Sequence, residues 1–368
     1  MPSQASINEP ATAAGQSQSR TLPVGRGDLP DLDRVRRLLV WPRQAEAAAL
    51  LSTAARRLGG EAETLEGAVL SLRLSGAAAF CEAAGALMST PEQAETRALA
   101  LTDASIVPTM TDYGDMTTMA ELSCLARAAW LVDLLAEGRY ASWFHPIVQS
   151  IDGSVFGHEM LLRGFEPSGG IIPPVRIFEA AESEAVMAAL ENAARTGAMR
   201  AAGRAGASGK IFMNFIPRTV IDPRRCLRPA LDAAAEEGIS PERIVFEVVE
   251  SDRTSDVVHL RRIVDFCRSE GAAIALDDFG AGTNNLTTLL AVEPDYIKLD
   301  KMLVQNIETD AQRRDLVGQQ TLLAHRAGVA VVAEGVETEA AMLCLSRLDV
   351  DYCQGFLFGR PSPQPMRA

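Results

Sequence analysis

Five short segments carry a carboxylate or carboxamide at the end of an apolar run. They are Glu159 in GHEMLLRG, Asn214 in FMNFIP, Glu247 in VFEVVES, the pair Asp277-Asp278 in ALDDFG, and Glu334 in VAEGVE. A single acid of this kind is ordinarily a solvated strand end or a helix cap. If the five converge, their ionised groups repel one another and each is disfavoured by a low dielectric. Hard cations are the inexpensive way to hold them together. Every donor is oxygen, with no Cys or His cluster, which points to Mg²⁺ or Mn²⁺ and away from structural zinc. Two such ions roughly 3.5–4 Å apart make a clamp for displacement at phosphorus, activating water and steadying the leaving oxygen.

Asp277 and Asp278 pose a difficulty, because side chains alternate along a strand and the two should diverge. Where the strand gives way to the GAG loop the backbone can turn, so that one carboxylate bridges two ions while its neighbour binds only the second. The alternative is that Asp278 caps the following turn. Lys298 lies mid-strand in YIKLD, in a chain whose only lysines are Lys210, Lys298 and Lys301. Where arginine is the default cation, that choice asks for a compact ammonium. Flanked by strands bearing metal-ligand candidates, Lys298 would orient or deprotonate an attacking water; otherwise it is a snorkelling or paired lysine. Arg163 follows Glu159 by four residues, on the same strand face, and its planar donors suit a phosphate oxygen or a surface carboxylate. The four histidines (145, 158, 259, 325) have no ligand spacing and are assigned no catalysis; His158 should point away from Glu159.

The elements that must position these groups alternate from about residue 142. The strands expected are Ser142–Gln149, Phe156–Arg163, Lys210–Phe215, Arg243–Val249, Ala272–Asp278, Tyr296–Asp300, Ala330–Glu334 and Asp351–Phe358. Helical runs separate them, among them 177–202, 226–237, 255–269, 310–327 and 339–348. Eight strands alternating with helices predict an α/β, TIM-type (β/α)8 barrel, in which functional groups stand at the C-terminal strand ends. An open doubly wound sheet is the structural alternative, without a GxGxxG or P-loop to support it. Upstream, a disordered tail is expected over 1–30, a small α/β domain over 31–115, regulatory or dimerising, and a linking helix over 116–140; the barrel fills 141–368. In the small domain, 37–41 and 67–74 read as strands, 44–58 as a helix, and 77–99 as mostly helical with an interruption near Pro91.

The 368 residues are 47% hydrophobic and 23% charged, as in ordinary globular proteins. The net charge of −13 disfavours a duplex nucleic-acid partner. No apolar run reaches the length of a membrane span, and the N-terminus has no secretory pattern. Six scattered cysteines without a CxxC pair read as reduced thiols of a cytoplasmic protein.

Taken in order, HEMLLRG, NFIP, FEVVES, LDDFGAG, YIKLD, VAEGVET and QGFLFGRP resemble the EAL-domain phosphodiesterases of bacterial cyclic di-GMP signalling, over about residues 141–363. The resemblance implies a barrel that hydrolyses cyclic di-GMP to linear pGpG with two Mg²⁺ or Mn²⁺, commonly as a homodimer through the barrel. It implies that Glu159, Asn214, Glu247 and Asp277 hold the first ion, and that Asp277, Asp278 and Glu334 hold the second. Lys298 would handle the water, with Glu337 and Gln354 supporting the site. Glu250 would anchor the loop after Asp278. Arg163 would grip a substrate phosphate, with Leu161 and Gln354 also placed at the substrate. Three departures stand out: Met160 where the family motif has alanine, Val249 where threonine is common, and Thr283-Asn284-Asn285 in the loop. Two other functions fit parts of the pattern: a catalytically silent cyclic di-GMP receptor or interaction module on the same barrel, and an enolase-type barrel with acids at successive strand ends and a lysine base. What the N-terminal region senses or binds is not written in any motif.

Overall fold

The strand and helix runs after residue 140 close into an eight-stranded barrel. The computed structural model describes residues 31–249, 257–280 and 286–367, in two compact units, Met1–Ala129 and Trp130–Ala368. The barrel strands are β1 (Tyr140–Gln149), β2 (Val155–Phe165), β3 (Lys210–Phe215), β4 (Ile244–Val248), β5 (Ala273–Phe279), β6 (Tyr296–Leu299), β7 (Ala330–Ala333) and β8 (Tyr352–Gln354). Each pairs with the next in chain order, and β8 pairs back onto β1.

From β2 to β8 all pairs are parallel, but β1 runs antiparallel to both neighbours. The reason is length. Only residues 150–154 separate β1 from β2, whereas a parallel return needs a dozen residues or more. The turn closes with Gln149 donating to the Ser154 carbonyl at 2.8 Å. The first two strands are therefore a hairpin, and the expected strand–helix alternation begins only after β2.

Alternation along the strands builds the barrel interior in two layers. Phe212, Val245, Ala275, Tyr296 and Val332, with Ile147 from β1, form an apolar floor. Two residues further along each parallel strand stand Asn214, Glu247, Asp277, Lys298 and Glu334, on the same inward face and one layer higher. Phe156 stacks on Tyr352 at a ring distance of 3.7 Å beneath them. The outer faces carry Ile211, Met213, Phe246, Ile274, Ile297 and Val331 into the larger core under the surrounding helices. The floor sets the height of the polar layer. Phe212→Ala removes a fully buried ring that packs 5.4 Å from Tyr296, and is expected to cost about 3–5 kcal/mol, read as a lower urea midpoint.

In the first unit, the strands Arg37–Trp41, Glu61–Thr64, Leu70–Arg73, Arg97–Leu101 and Thr117–Thr118 make one antiparallel sheet. Its order places Leu70–Arg73 and Arg97–Leu101 on either side of Arg37–Trp41. With helices Ala45–Arg57 and Ala77–Leu87 this is a β-α-β-β-α-β, ferredoxin-like arrangement. The helix expected to run to Leu99 instead stops at Leu87. A short Thr90–Glu95 helix follows, opened by a Ser89/Glu92 capping box with Pro91 in its first turn. Arg97–Leu101 then pairs as a strand, and burial of its Ala and Leu side chains overrides their helix propensity. Helix Ala45–Arg57 ends where Gly59 takes φ 77°, a backbone state glycine adopts freely. The linking segment forms two helices, Met119–Arg127 and Ala129–Ala136.

Candidate functional site

Lys298 is the centre of the polar layer. It is 1% exposed, and its Nζ lies 2.6 Å from Glu334 Oε1, 3.1 Å from Glu247 Oε1, 3.3 Å from Asp277 Oδ1 and 3.5 Å from Glu159 Oε2. The four carboxylates come from four different strands or strand ends, so only barrel closure brings them together. Burial alone would lower the lysine pKa; the fields of Asp277, Glu159, Glu247 and Glu334 outweigh it and hold the ammonium protonated well above its ordinary range.

Glu159 is held by partners on both sides. Asn214 Nδ2 donates to its Oε1 at 2.9 Å, and Gln354 Nε2 donates to its Oε2 at 2.8 Å. Burial pushes its pKa up, but Lys298 and these two amides outweigh that and keep it below the usual carboxylate value. Glu247 is the opposite case. It is fully buried, its Oε2 has no partner, and its Oε1 faces Lys298 without hydrogen-bond geometry. Burial, with Glu159, Asp277 and Glu334 adding to it against Lys298, drives its pKa well up. Glu334 is pushed to about 7, by burial first.

The Asp277-Asp278 pair converges through a backbone irregularity. The β5–β6 register shifts between Leu276 and Phe279, and Asp278 takes φ 51°. That rotation, costly for a non-glycine residue, undoes the strand alternation. Asp277 Oδ1 accepts the Asp278 amide at 3.0 Å, and ligand atoms of Asp277, Asp278 and Glu334 all lie within 4.8 Å of one another. The Asp278 pKa rises to about 6, through loss of water around the carboxyl, the Asp277 charge and a hydrogen bond with Asp300.

Two spaces meet this layer. One is a cleft of about 390 Å³ lined by Glu159, Asp277, Lys298, Glu334, Glu337 and Gln354, among others. The second, about 650 Å³, is lined by Leu161, Arg163, Asn214 and Asp277 with apolar residues of β2, β3 and the following helices. Leu161 and Arg163 alternate with Glu159 along β2, and the Arg163 guanidinium sits 5.2 Å over the Trp143 ring. Glu337 stands exposed on the cleft lining, three residues past Glu334. Gly335 between them takes φ 70°, and a Cβ there would meet Lys301 Cβ at 2.6 Å. Glu250 and the 283–285 stretch lie outside the described residues.

His145 is the residue the sequence did not single out. It faces Glu159 across the β1–β2 hairpin and lines the same cleft. Its Nδ1 lies 2.9 Å from Gln354 Nε2, and its Nε2 is buried without a partner. Its pKa is lowered, first by burial. Only the antiparallel direction of β1 puts its N-terminal half at this end of the barrel; the short 150–154 turn was the available signal. His158 points to the opposite face and packs edge-on against Phe144.

Asn214 Oδ1 and both Glu247 oxygens are buried without hydrogen-bond partners, and one ammonium faces four carboxylates. Such groups are ordinarily satisfied. An oxygen-rich donor set with unspent lone pairs and excess negative charge fits a hard divalent cation.

The chain resembles a signalling protein of Caulobacter vibrioides, uncharacterised in function, at 32% identity over 62% of this chain and 28% of that one. The cyclic di-GMP phosphodiesterase RocR of Pseudomonas aeruginosa is 27% identical over 68% of this chain and 64% of its own length. The chain thus spans less than two thirds of these curated relatives. Among solved structures, a standalone EAL protein of Vibrio cholerae, bound to c-di-GMP, superposes with a TM-score of 0.56 at 30% identity, over 62% of this chain and 94% of that one. Residues 128–361 match the family described as the EAL domain. With a closed eight-stranded barrel and its polar layer at the strand ends, the chain belongs to the EAL domain family.

Proposed function

We propose that the chain is a metal-dependent phosphodiesterase that hydrolyses cyclic di-GMP to linear pGpG. The observation that carries this reading is the single buried ammonium of Lys298 among four carboxylates, beside buried oxygens of Asn214 and Glu247 that have no partner. The resemblance to RocR and to an EAL protein bound to c-di-GMP supplies the substrate class.

Glu159, Asn214, Glu247 and Asp277 would hold one Mg²⁺ or Mn²⁺, and Asp277, Asp278 and Glu334 a second. Bound there, such ions lower the pKa of water and withdraw charge from phosphate oxygens. Lys298, as an ammonium, would donate to the attacking water and fix its approach; it would serve as a base only if bound cations offset the carboxylate field enough for it first to release a proton of its own. Water adds at phosphorus and the bond to the 3′ oxygen breaks. One proton leaves the water and one reaches the leaving oxygen. Arg163, at the mouth of the second space, would pair with a substrate phosphate, and Leu161 would pack against the bound dinucleotide. Gln354 keeps Glu159 oriented, Glu337 would support the cleft rim, and Glu250 would hold the loop after Asp278. Within this reading, 31–115 acts as a regulatory or dimerising domain, 116–140 as its connection and 141–368 as the catalytic barrel. The protein is read as cytoplasmic and dimeric through the barrel. No helix among the described residues is long and apolar enough to cross a membrane.

The test is conversion of cyclic di-GMP to pGpG by the purified full chain with Mg²⁺ or Mn²⁺, against the same protein in EDTA. Product with metal and none with chelator is expected. Tight binding of cyclic di-GMP without product at saturating metal would make the barrel a receptor, the second reading that the altered 283–285 sequence leaves open.

A further inference from the structure

The N-terminal unit carries an apolar surface that its own fold leaves uncovered. Helices Ala45–Arg57 and Ala77–Leu87 bound a shallow groove of about 750 Å³, floored by Ala49, Ala54, Ala83 and Ala86 and flanked by Leu50, Leu58 and Leu87. The three leucines are 40%, 41% and 49% exposed. Small residues along the floor let another helix approach closely.

The charge pattern names the occupant. Glu46, Leu50, Thr53 and Arg57 follow one another at spacings of four, three and four. At 3.6 residues per turn they form one straight ridge along the helix, with an acid at one end and a base about 16 Å away at the other. Glu46 and Arg57 make no ion pair among the described residues. The midpoint of the ridge falls between Leu50 and Thr53. A two-fold axis through that midpoint sets the helix antiparallel to its own copy. Glu46 of each copy then meets Arg57 of the other, and Leu50 meets Thr53. An isologous interface requires a patch that complements itself, and the charges of this ridge do so.

We infer that the groove between helices Ala45–Arg57 and Ala77–Leu87 is an interface with a second copy of this chain, closed by two reciprocal Glu46–Arg57 pairs.

The experiment uses the full chain, with a benzoylphenylalanine photocrosslinker replacing Leu50, and the sites of crosslinking mapped by mass spectrometry. The expected product is intermolecular and lies in residues 45–58 or 77–88 of the other copy. Dimer affinity is followed in parallel by sedimentation. Glu46→Arg and Arg57→Glu each turn two attractions into repulsions and are expected to weaken this dimer roughly tenfold. The double reversal Glu46→Arg/Arg57→Glu should restore it. Circular dichroism and the melting temperature verify that the exposed substitutions leave the fold intact. Rescue by the double reversal is a readout that loss of folding could not give. Crosslinks confined to the barrel, to residues 1–30 or to another protein would overturn the inference. So would a crosslink yield and an affinity that ignore the single reversals, or a double reversal that fails to rescue.

Discussion

Lys298→Met lowers turnover of cyclic di-GMP by about 10²–10⁴ while tightening metal binding. The two effects share one cause. Lys298 Nζ is within 3.5 Å of four carboxylates and contributes a buried positive charge that metal ions must share the site with. Methionine keeps most of the side-chain volume, so the apolar floor of Phe212, Tyr296 and Val332 remains packed. With the ammonium gone, the carboxylates offer a divalent ion a more negative site, and the metal dissociation constant falls. The attacking water loses the donor that fixed its approach, and kcat falls. Without metal the variant is expected to lose about 3–5 kcal/mol, because buried carboxylates are left without their counter-charge. Saturating Mg²⁺ should return most of that stability and none of the turnover. The measurement is kcat at saturating metal, alongside calorimetric titration of Mg²⁺ or Mn²⁺. A variant with kcat within a few-fold of wild type would remove Lys298 from the chemistry. One with full loss of turnover and weakened metal affinity would make it a structural counter-ion only.

The polar layer was legible because chemistry and periodicity agreed. Asn214, Glu247, Asp277, Lys298 and Glu334 each stand two residues past an apolar position on the same face, and the sequence shows both halves of that rule. The parallel β/α order also follows from the strand–helix alternation, since parallel strands need crossovers of that length; closure into a barrel instead of an open doubly wound sheet does not follow from alternation alone. What alternation could not convey is direction. His145 entered the cleft because β1 runs backwards, and its neighbours in sequence carry no ligand spacing to mark it. Convergence of Asp277 and Asp278 was readable as a possibility at the glycine-rich turn, but the left-handed φ of Asp278 that achieves it is a tertiary outcome. The N-terminal sheet was harder. Glu61–Thr64 is a polar, largely exposed edge strand with no apolar alternation, and Arg97–Leu101 is made of residues that favour helices when alone. Pairing with Arg37–Trp41 decides it, and pairing between distant segments leaves little trace in either one.

Metal-free wild type and Glu334→Gln should diverge in stability as pH rises from about 4.5 to above 7, with the variant gaining. The Glu334 pKa is raised from 4.5 to about 7 in the folded chain. Through that window the folded state holds a proton that the unfolded state releases. Its contribution is therefore complete below the unfolded value and is lost as pH passes the folded one. The cost to wild type is on the order of 3 kcal/mol, or roughly 6–12 °C in melting temperature. The variant's carboxamide has no proton to lose. Asp278, raised to about 6, acts in the same direction in both proteins. His145 and His158, whose pKa values are lowered by burial, oppose it in both. Glu247, raised first by burial and in part by the Glu334 charge, acts in the same direction as Glu334 and is relieved in the variant, so the difference between the two curves reports Glu334 together with its field on Glu247. Glu159, held below the usual value, titrates beneath the window. Adding Mg²⁺ should then reverse the ranking at neutral pH, because wild type gains stability as the ion binds its folded state and the glutamine variant lacks one charged ligand. Parallel melting curves at all pH values, or no reversal with metal, would place Glu334 outside the cation site and leave Asp277 and Asp278 without their third carboxylate.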